Sequence, residues 1–237
     1  MILIQGAMTS EIDFLVENLE EKEELEIEKC KFYKGKYSDK EVLISKTNIG
    51  LVEASYATMV AIKNFKIDTI INQGTAGAAR EFLKKYDIVV GTSSINGNSF
   101  LTGEKDIGEG SDPFEWKLLN FIEGEDKIVE EKASIDLINK FKIYEMSSNM
   151  NNIYYGKIGS GDFWNRELDR VKYLAETYDL LVEEMETYAV YTIANKQSIP
   201  CISIRVISDN ALTGEFFDKE TGKYSQEKVI EFVKEYM

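Results

Sequence analysis

Histidine is absent from this chain of 237 residues. Without it there is no Ser-His-Asp triad, no Cys-His pair and no histidine metal site. If the chain is an enzyme, its proton transfers fall to carboxylates. Cysteine is almost absent too: Cys30 and Cys201 lie in apolar, β-like runs without CxxC spacing, and read as buried thiols. Proline occurs twice, and no repeat, low-complexity linker or shift in composition divides the sequence, so a single domain over residues 1–237 is expected. No apolar run approaches a membrane span, and "MILIQGAMTSEIDF" has neither the basic start nor the apolar segment of a signal peptide. These features predict a cytoplasmic protein.

Acidic residues are abundant. Asp and Glu number 42 against 28 Lys and Arg, for a net charge of −14. A nucleic-acid backbone or an anionic membrane would be repelled, which favours a small neutral or cationic ligand. With 43% apolar residues the chain can bury a sizeable core.

Strand-like runs alternate with amphipathic helical patterns. "MILIQGA" reads as a buried strand, and "TSEIDFLVENLEE" as a helix with Ile12, Leu15, Val16 and Leu19 on its stripe and Thr9 or Ser10 as cap. "ELEIEKCKFYKGKYSDKEVLISKTNIG" reads as two antiparallel strands, and "LVEASYATMVAIKNF" as a helix with Val52, Tyr56, Met59 and Val60 on one face. "DTIINQGTAGAA" is a strand running into a glycine turn, "YDIVVGTSSING" another strand, and residues 96–124 a long loop. Further strands are expected at "NIYYGKIGSGDF" and "CISIRVIS", with helices at "EKASIDLINKFK", "NRELDRVKYLAETY", "METYAVYTIANKQ" and "SQEKVIEFVKEYM". The alternation predicts an α/β fold: a mixed, mainly parallel sheet with helices on both faces.

In such sheets ligands sit beyond the carboxyl ends of the strands. The stretches "GAMTSE", "GTAGA", "SGDFW" and "SDNA" fall there, beside the acidic "EEMETYAV". Singly, each has a plain structural reading. Glu11 suits the first turn of a helix, "GTAGA" is too short for a dinucleotide fingerprint, the aromatics can fill a core, and "SDNA" can cap a turn. Arg205 is harder to explain away, because a cation in a buried strand needs a carboxylate partner.

Taken in order, "QGAMTSE", "NIG", "INQGTAGA", "SGDFW", "EEMETYAV" and "RVISDNA" resemble the signature series of the nucleoside phosphorylase superfamily. The nearest branch is 5′-methylthioadenosine/S-adenosylhomocysteine nucleosidase. The resemblance implies that fold, a homodimer, no metal or other cofactor, and hydrolysis of a purine nucleoside. Asp209 matches the general acid at adenine N7, with Ser208 orienting it, and Glu11 matches the residue that positions and activates water at the anomeric carbon. Glu186 matches the carboxylate that grips the ribose hydroxyls, with Met185 packing on the sugar, Glu184 in support and Arg205 tying the carboxylates together. Thr75, Gly77 and Ile49 match positions lining the pocket. Trp164, or Phe163, matches the residue stacked on the base.

The resemblance weakens over residues 96–124 and after Asn210, which leaves the 5′ substituent open. Two other readings remain: a phosphorylase, and a nucleoside-binding protein without catalysis. Phosphorylases of the superfamily hold phosphate with arginines, whereas this chain has Gln73 before "GTAGA" and only Arg80, Arg166, Arg170 and Arg205 in all. Glu11 would repel phosphate at that place, so water is the better nucleophile.

Overall fold

The computed structural model describes every residue except 120, 123, 124, 127 and 149. β1 (Ile2–Gly6) leads through a 3₁₀ turn into α1 (Asp13–Glu17), then into a meander of β2 (Glu20–Ile27), β3 (Cys30–Tyr37) and β4 (Lys40–Lys46). α2 (Leu51–Asn64) precedes β5 (Thr69–Ala78) and β6 (Ile88–Asn96). Four two-residue strands follow: β7 (Phe100–Leu101), β8 (Lys117–Leu118), β9 (Phe121–Ile122) and β10 (Glu125–Asp126). β11 (Glu131–Lys132), α3 (Ile135–Ser147), β12 (Ile153–Ser160), α4 (Leu168–Tyr178) and β13 (Leu180–Glu184) come next. The chain ends with α5 (Thr187–Lys196), β14 (Cys201–Asp209) and α6 (Glu220–Tyr236).

Ten strands form one mixed sheet in the order β11-β6-β12-β13-β5-β1-β4-β3-β2, with β14 bridging β5 and β6. β5, β14, β6, β12 and β13 therefore close a ring of pairings. Its strands are near-continuous apolar runs because both faces are covered. Ile4, Ile44, Ile71 and Ile204 pack beneath α3 and α6, while Leu3, Leu43 and Ile70 face α2 and α5. At the seam the carboxyl ends of β5, β13 and β14 meet, with Gly77 paired to both Glu183 and Asp209. That convergence builds the site.

Several local expectations need correction. The first helix stops at Glu17, and neither Thr9 nor Ser10 caps it; the Glu11 carboxylate instead takes the backbone N–H groups of Ala7 and Met8. The segment expected to hold two strands holds three, because Glu28 and Lys29 both adopt positive φ and turn β2 into β3. "GTAGA" is strand to its end rather than a turn. "LLVEE" is strand β13, so Glu183 and Glu184 precede the α5 helix instead of starting it. The expected loop over residues 96–124 carries the pair β7–β8 and the strand β9, whose partner β10 follows it, although residues 120, 123 and 124 lie outside the described set. Of the α2 stripe only Val60 is buried; Val52, Tyr56 and Met59 face outward. Cys30 and Cys201 are buried, unpaired thiols.

Candidate active site

A cavity of about 270 Å³ opens where these strands end. Eleven of the twelve residues expected at the site line it: Glu11, Ile49, Thr75, Gly77, Phe163, Trp164, Glu184, Met185, Glu186, Ser208 and Asp209. Arg205, the twelfth, lies beneath the floor.

Glu11 is held from both sides. Oε2 accepts from Ala7 N at 3.0 Å and Met8 N at 3.1 Å, and Oε1 accepts from Thr75 N at 2.8 Å and Thr75 Oγ1 at 3.0 Å. β5 comes this close because residue 74 is glycine: a Cβ there would stand 2.6 Å from Glu11 Oε1. Gln73 donates Nε2 to the Glu11 carbonyl and accepts from Ser225 on α6, so the position before "GTAGA" serves to fix the Glu11 backbone.

Arg205 answers the burial problem that its strand poses. Its guanidinium meets Glu184 at 2.5 Å and Glu186 at 3.6 Å, and also contacts Asn72, Thr187 and Ser203. A buried pair that lost one member would leave an uncompensated charge. Glu184 spends its remaining lone pairs on the Ser160 hydroxyl and on the N–H groups of Glu186 and Thr187, capping α5. Glu186 has one oxygen toward Arg205 and accepts from Gly50 N at 3.0 Å with the other. Burial and the neighbouring Glu184 push its carboxyl up to about 8, against the pull of Arg205 and Gly50.

At the other end, Ser208 Oγ donates to Asp209 Oδ1 at 2.7 Å. Gly77 lies against the same carboxyl, where a Cβ would come within 3.6 Å of Oδ2. Trp164 leaves much of its ring open to the cavity mouth and meets Phe217 edge to face at 6.0 Å.

Some contributors escaped the sequence. Asp162, two residues before Trp164, accepts from Leu51 N at 2.7 Å and joins the "NIG" segment to the "SGDFW" segment. Asn165, Glu183 and Phe217 also line the cavity. The Asp in "SGDFW" was visible, but its partner is 111 residues away and nothing local points to it.

The cavity thus brings together Asp209, the locked Glu11, Glu186 and the aromatic rings of Phe163, Trp164 and Phe217. Fold and site together define an α/β enzyme that acts on a small heterocyclic ligand at strand ends. The family model described as "Phosphorylase superfamily" matches residues 1–237. The 5′-methylthioadenosine/S-adenosylhomocysteine nucleosidase of Staphylococcus carnosus is 30% identical over 99% of both chains. Among solved structures, the Helicobacter pylori nucleosidase of the same name, with butyl-thio-DADMe-Immucillin-A, matches with a TM-score of 0.84 and 25% identity. That match covers 99% of this chain and 97% of that one. Futalosine hydrolase of the same organism matches at 0.83 and 25%, with the same coverage. The chain belongs to the phosphorylase superfamily, in its 5′-methylthioadenosine/S-adenosylhomocysteine nucleosidase branch.

Proposed function

We propose that this protein is an N-glycosyl hydrolase that releases adenine from 5′-methylthioadenosine or S-adenosylhomocysteine. The observation that carries the choice of water over phosphate is the environment of Glu11. Among the described residues lining the cavity there is no lysine or arginine, and the carboxylate fills the corner beside Thr75. A phosphate there would meet negative charge without a cation to offset it.

In this reading Asp209, oriented by Ser208, gives a proton or a hydrogen bond to adenine N7. The base thus leaves without full negative charge, an effect typically worth about 10²–10⁴ in rate. Glu11 positions the attacking water. Of its four donors only the Thr75 hydroxyl can rotate away, which places the water beside that residue. Glu186 holds the ribose hydroxyls and, when ionised, stabilises the oxocarbenium character that develops at the sugar. Met185 packs on the ribose, and Trp164 or Phe163 covers the base.

The protein is also read as a cytoplasmic homodimer. Two buried, unpaired thiols suit a reducing compartment. The outward apolar stripe of Ile49, Val52, Tyr56 and Met59 suits a partner subunit. Among the described residues no helix is long and apolar enough to cross a membrane.

Adenine release from 5′-methylthioadenosine, measured with and without phosphate, tests the reaction. The expected result is phosphate-independent release that falls by about 10²–10⁴ in kcat in Asp209→Asn. Release that requires phosphate would make the protein a phosphorylase, and adenine binding without turnover a non-catalytic binder.

A further inference from the structure

α2 starts on two acids from distant parts of the chain. Gly50 N donates to Glu186 Oε1 at 3.0 Å, and the next amide, Leu51 N, donates to Asp162 Oδ1 at 2.7 Å. Glu186 follows β13, whereas Asp162 stands in the turn after β12. Both amides are among the first four of a helix, which find no acceptor within it. The partial positive charge of the helix start favours an acid at each place. Glu186 has a part in the mechanism above. Asp162 has none: it is exposed, and it is not among the described residues that line the cavity.

The link between β4 and α2 is held at its ends. Asn48 and Gly50 take positive φ, 65° and 106°, on either side of Ile49, which lines the cavity. At the β4 end Thr47 N and Oγ1 both reach the Gly6 carbonyl. Asn48 Nδ2 reaches only Glu53, inside the same helix. At the helix end the holds are Glu186 and Asp162. A single acceptor would let the helix start pivot about it, whereas acceptors on two successive amides fix both its place and its direction. The fit is close: a Cβ on residue 50 would stand 2.8 Å from Asp162 Oδ1, so glycine there admits the acid as well as the positive φ. Asp162 also comes directly before Phe163 and two residues before Trp164, the rings read above as the cover of the base. It thus joins the wall of the base end to the helix that meets the sugar-holding carboxyl.

We propose that Asp162 is a positioning residue for the nucleoside, acting through the start of α2 to hold the Glu186 carboxyl where the ribose hydroxyls meet it. This rests on the reading of Glu186 as the ribose carboxylate and extends it to a residue that touches no ligand. The effect falls on the sugar and spares the base. Without the Asp162 acceptor the start of α2 is freed, and with it the Gly50 amide that fixes one oxygen of Glu186. The Ser208–Asp209 pair lies on β14, which is held by β5 and β6, and does not depend on α2.

The test is calorimetric binding of 9-deazaadenosine, whose carbon–carbon link to the sugar is not hydrolysed, and of 9-deazaadenine, the base alone. Wild type, Asp162→Ala and Asp162→Asn are compared. The wild type is expected to bind the nucleoside more tightly than the base. Asp162→Ala loses about fivefold in nucleoside affinity, the usual weight of a helix-start acceptor, and nothing in base affinity. Asp162→Asn keeps an oxygen for Leu51 N and restores the nucleoside affinity. A cap that served stability alone would lower the melting temperature of Asp162→Ala and leave the ratio of the two affinities as it was. An unchanged ratio in Asp162→Ala beside a clear gain from the ribose in wild type would overturn the assignment alone, as would an Asn variant no better than the Ala one. A wild type that gained nothing from the ribose would overturn the reading of Glu186 and the assignment with it.

Discussion

Two glutamates of the cavity, Glu183 and Glu186, keep their protons to about pH 7 and about pH 8, burial being the largest cause for both. A carboxyl whose value is raised by folding binds more protons folded than unfolded. Its contribution is whole below the ordinary glutamate value and is lost as pH rises through the folded value. The free protein is therefore expected to become less stable from about pH 4.5, the reference value, to about pH 8. Glu186→Gln cannot ionise. Its melting temperature should exceed that of the wild type at pH 8.5 by several degrees, at roughly 2–4 °C per kcal/mol, and match it at pH 5. The same Tm difference at both pH values would count against a raised Glu186. The substitution should also cost on the order of 10²-fold in kcat/KM, since the ribose loses its carboxylate.

At the scale of elements, α2 carries the clearest prediction. Val52 and Met59 are 74% and 39% exposed on a helix whose other face is packed with alanines. Val52→Asp with Met59→Asp should halve the mass seen by sedimentation if this stripe joins two subunits, and leave it unchanged if it does not. Core-facing surfaces explain part of what could be read from sequence. The long central strands and α3, α5 and α6 announce themselves through apolar runs or stripes that a core must cover, whereas the stripe read on α2 is, Val60 apart, the one that faces outward. β2 does not: "EEKEELEI" is an edge strand largely open to water, with almost no alternation to reveal it. "LLVEE" hides because two acids at the end of a five-residue strand resemble the charged start of a helix. Glycine misled for a physical reason as well. Gly74 and Gly77 signal a turn in isolation, yet both lie inside β5; at Gly74 the Glu11 carboxyl leaves no room for a Cβ, a demand set by a residue distant in the chain. The site was legible through its acids, which have no other reason to gather at strand ends. Asp162 and Asn165 bond to partners on other elements, Leu51 and Glu183, and those contacts emerged only with the fold.

For the molecule as a whole, the surplus of 14 negative charges accompanies a cavity in which Glu184 and Glu186 share the buried cation Arg205. The ligand must then be neutral or gain positive charge as it reacts, which is the behaviour of a nucleoside losing its base. The first residues of α2 give this architecture a further property. Gly50 N is bonded to Glu186, and Leu51 N to Asp162, at the end of the helix whose outer stripe is apolar. In the proposed reading, one helix thus reaches the carboxylate that holds the sugar at its tip and offers its flank to a second chain. In that reading a ligand that shifted α2 at its tip would also shift pairing along its flank, each equilibrium changing the other by the same factor. The nucleoside affinity of such a protein would depend on how much of the protein is in the tube.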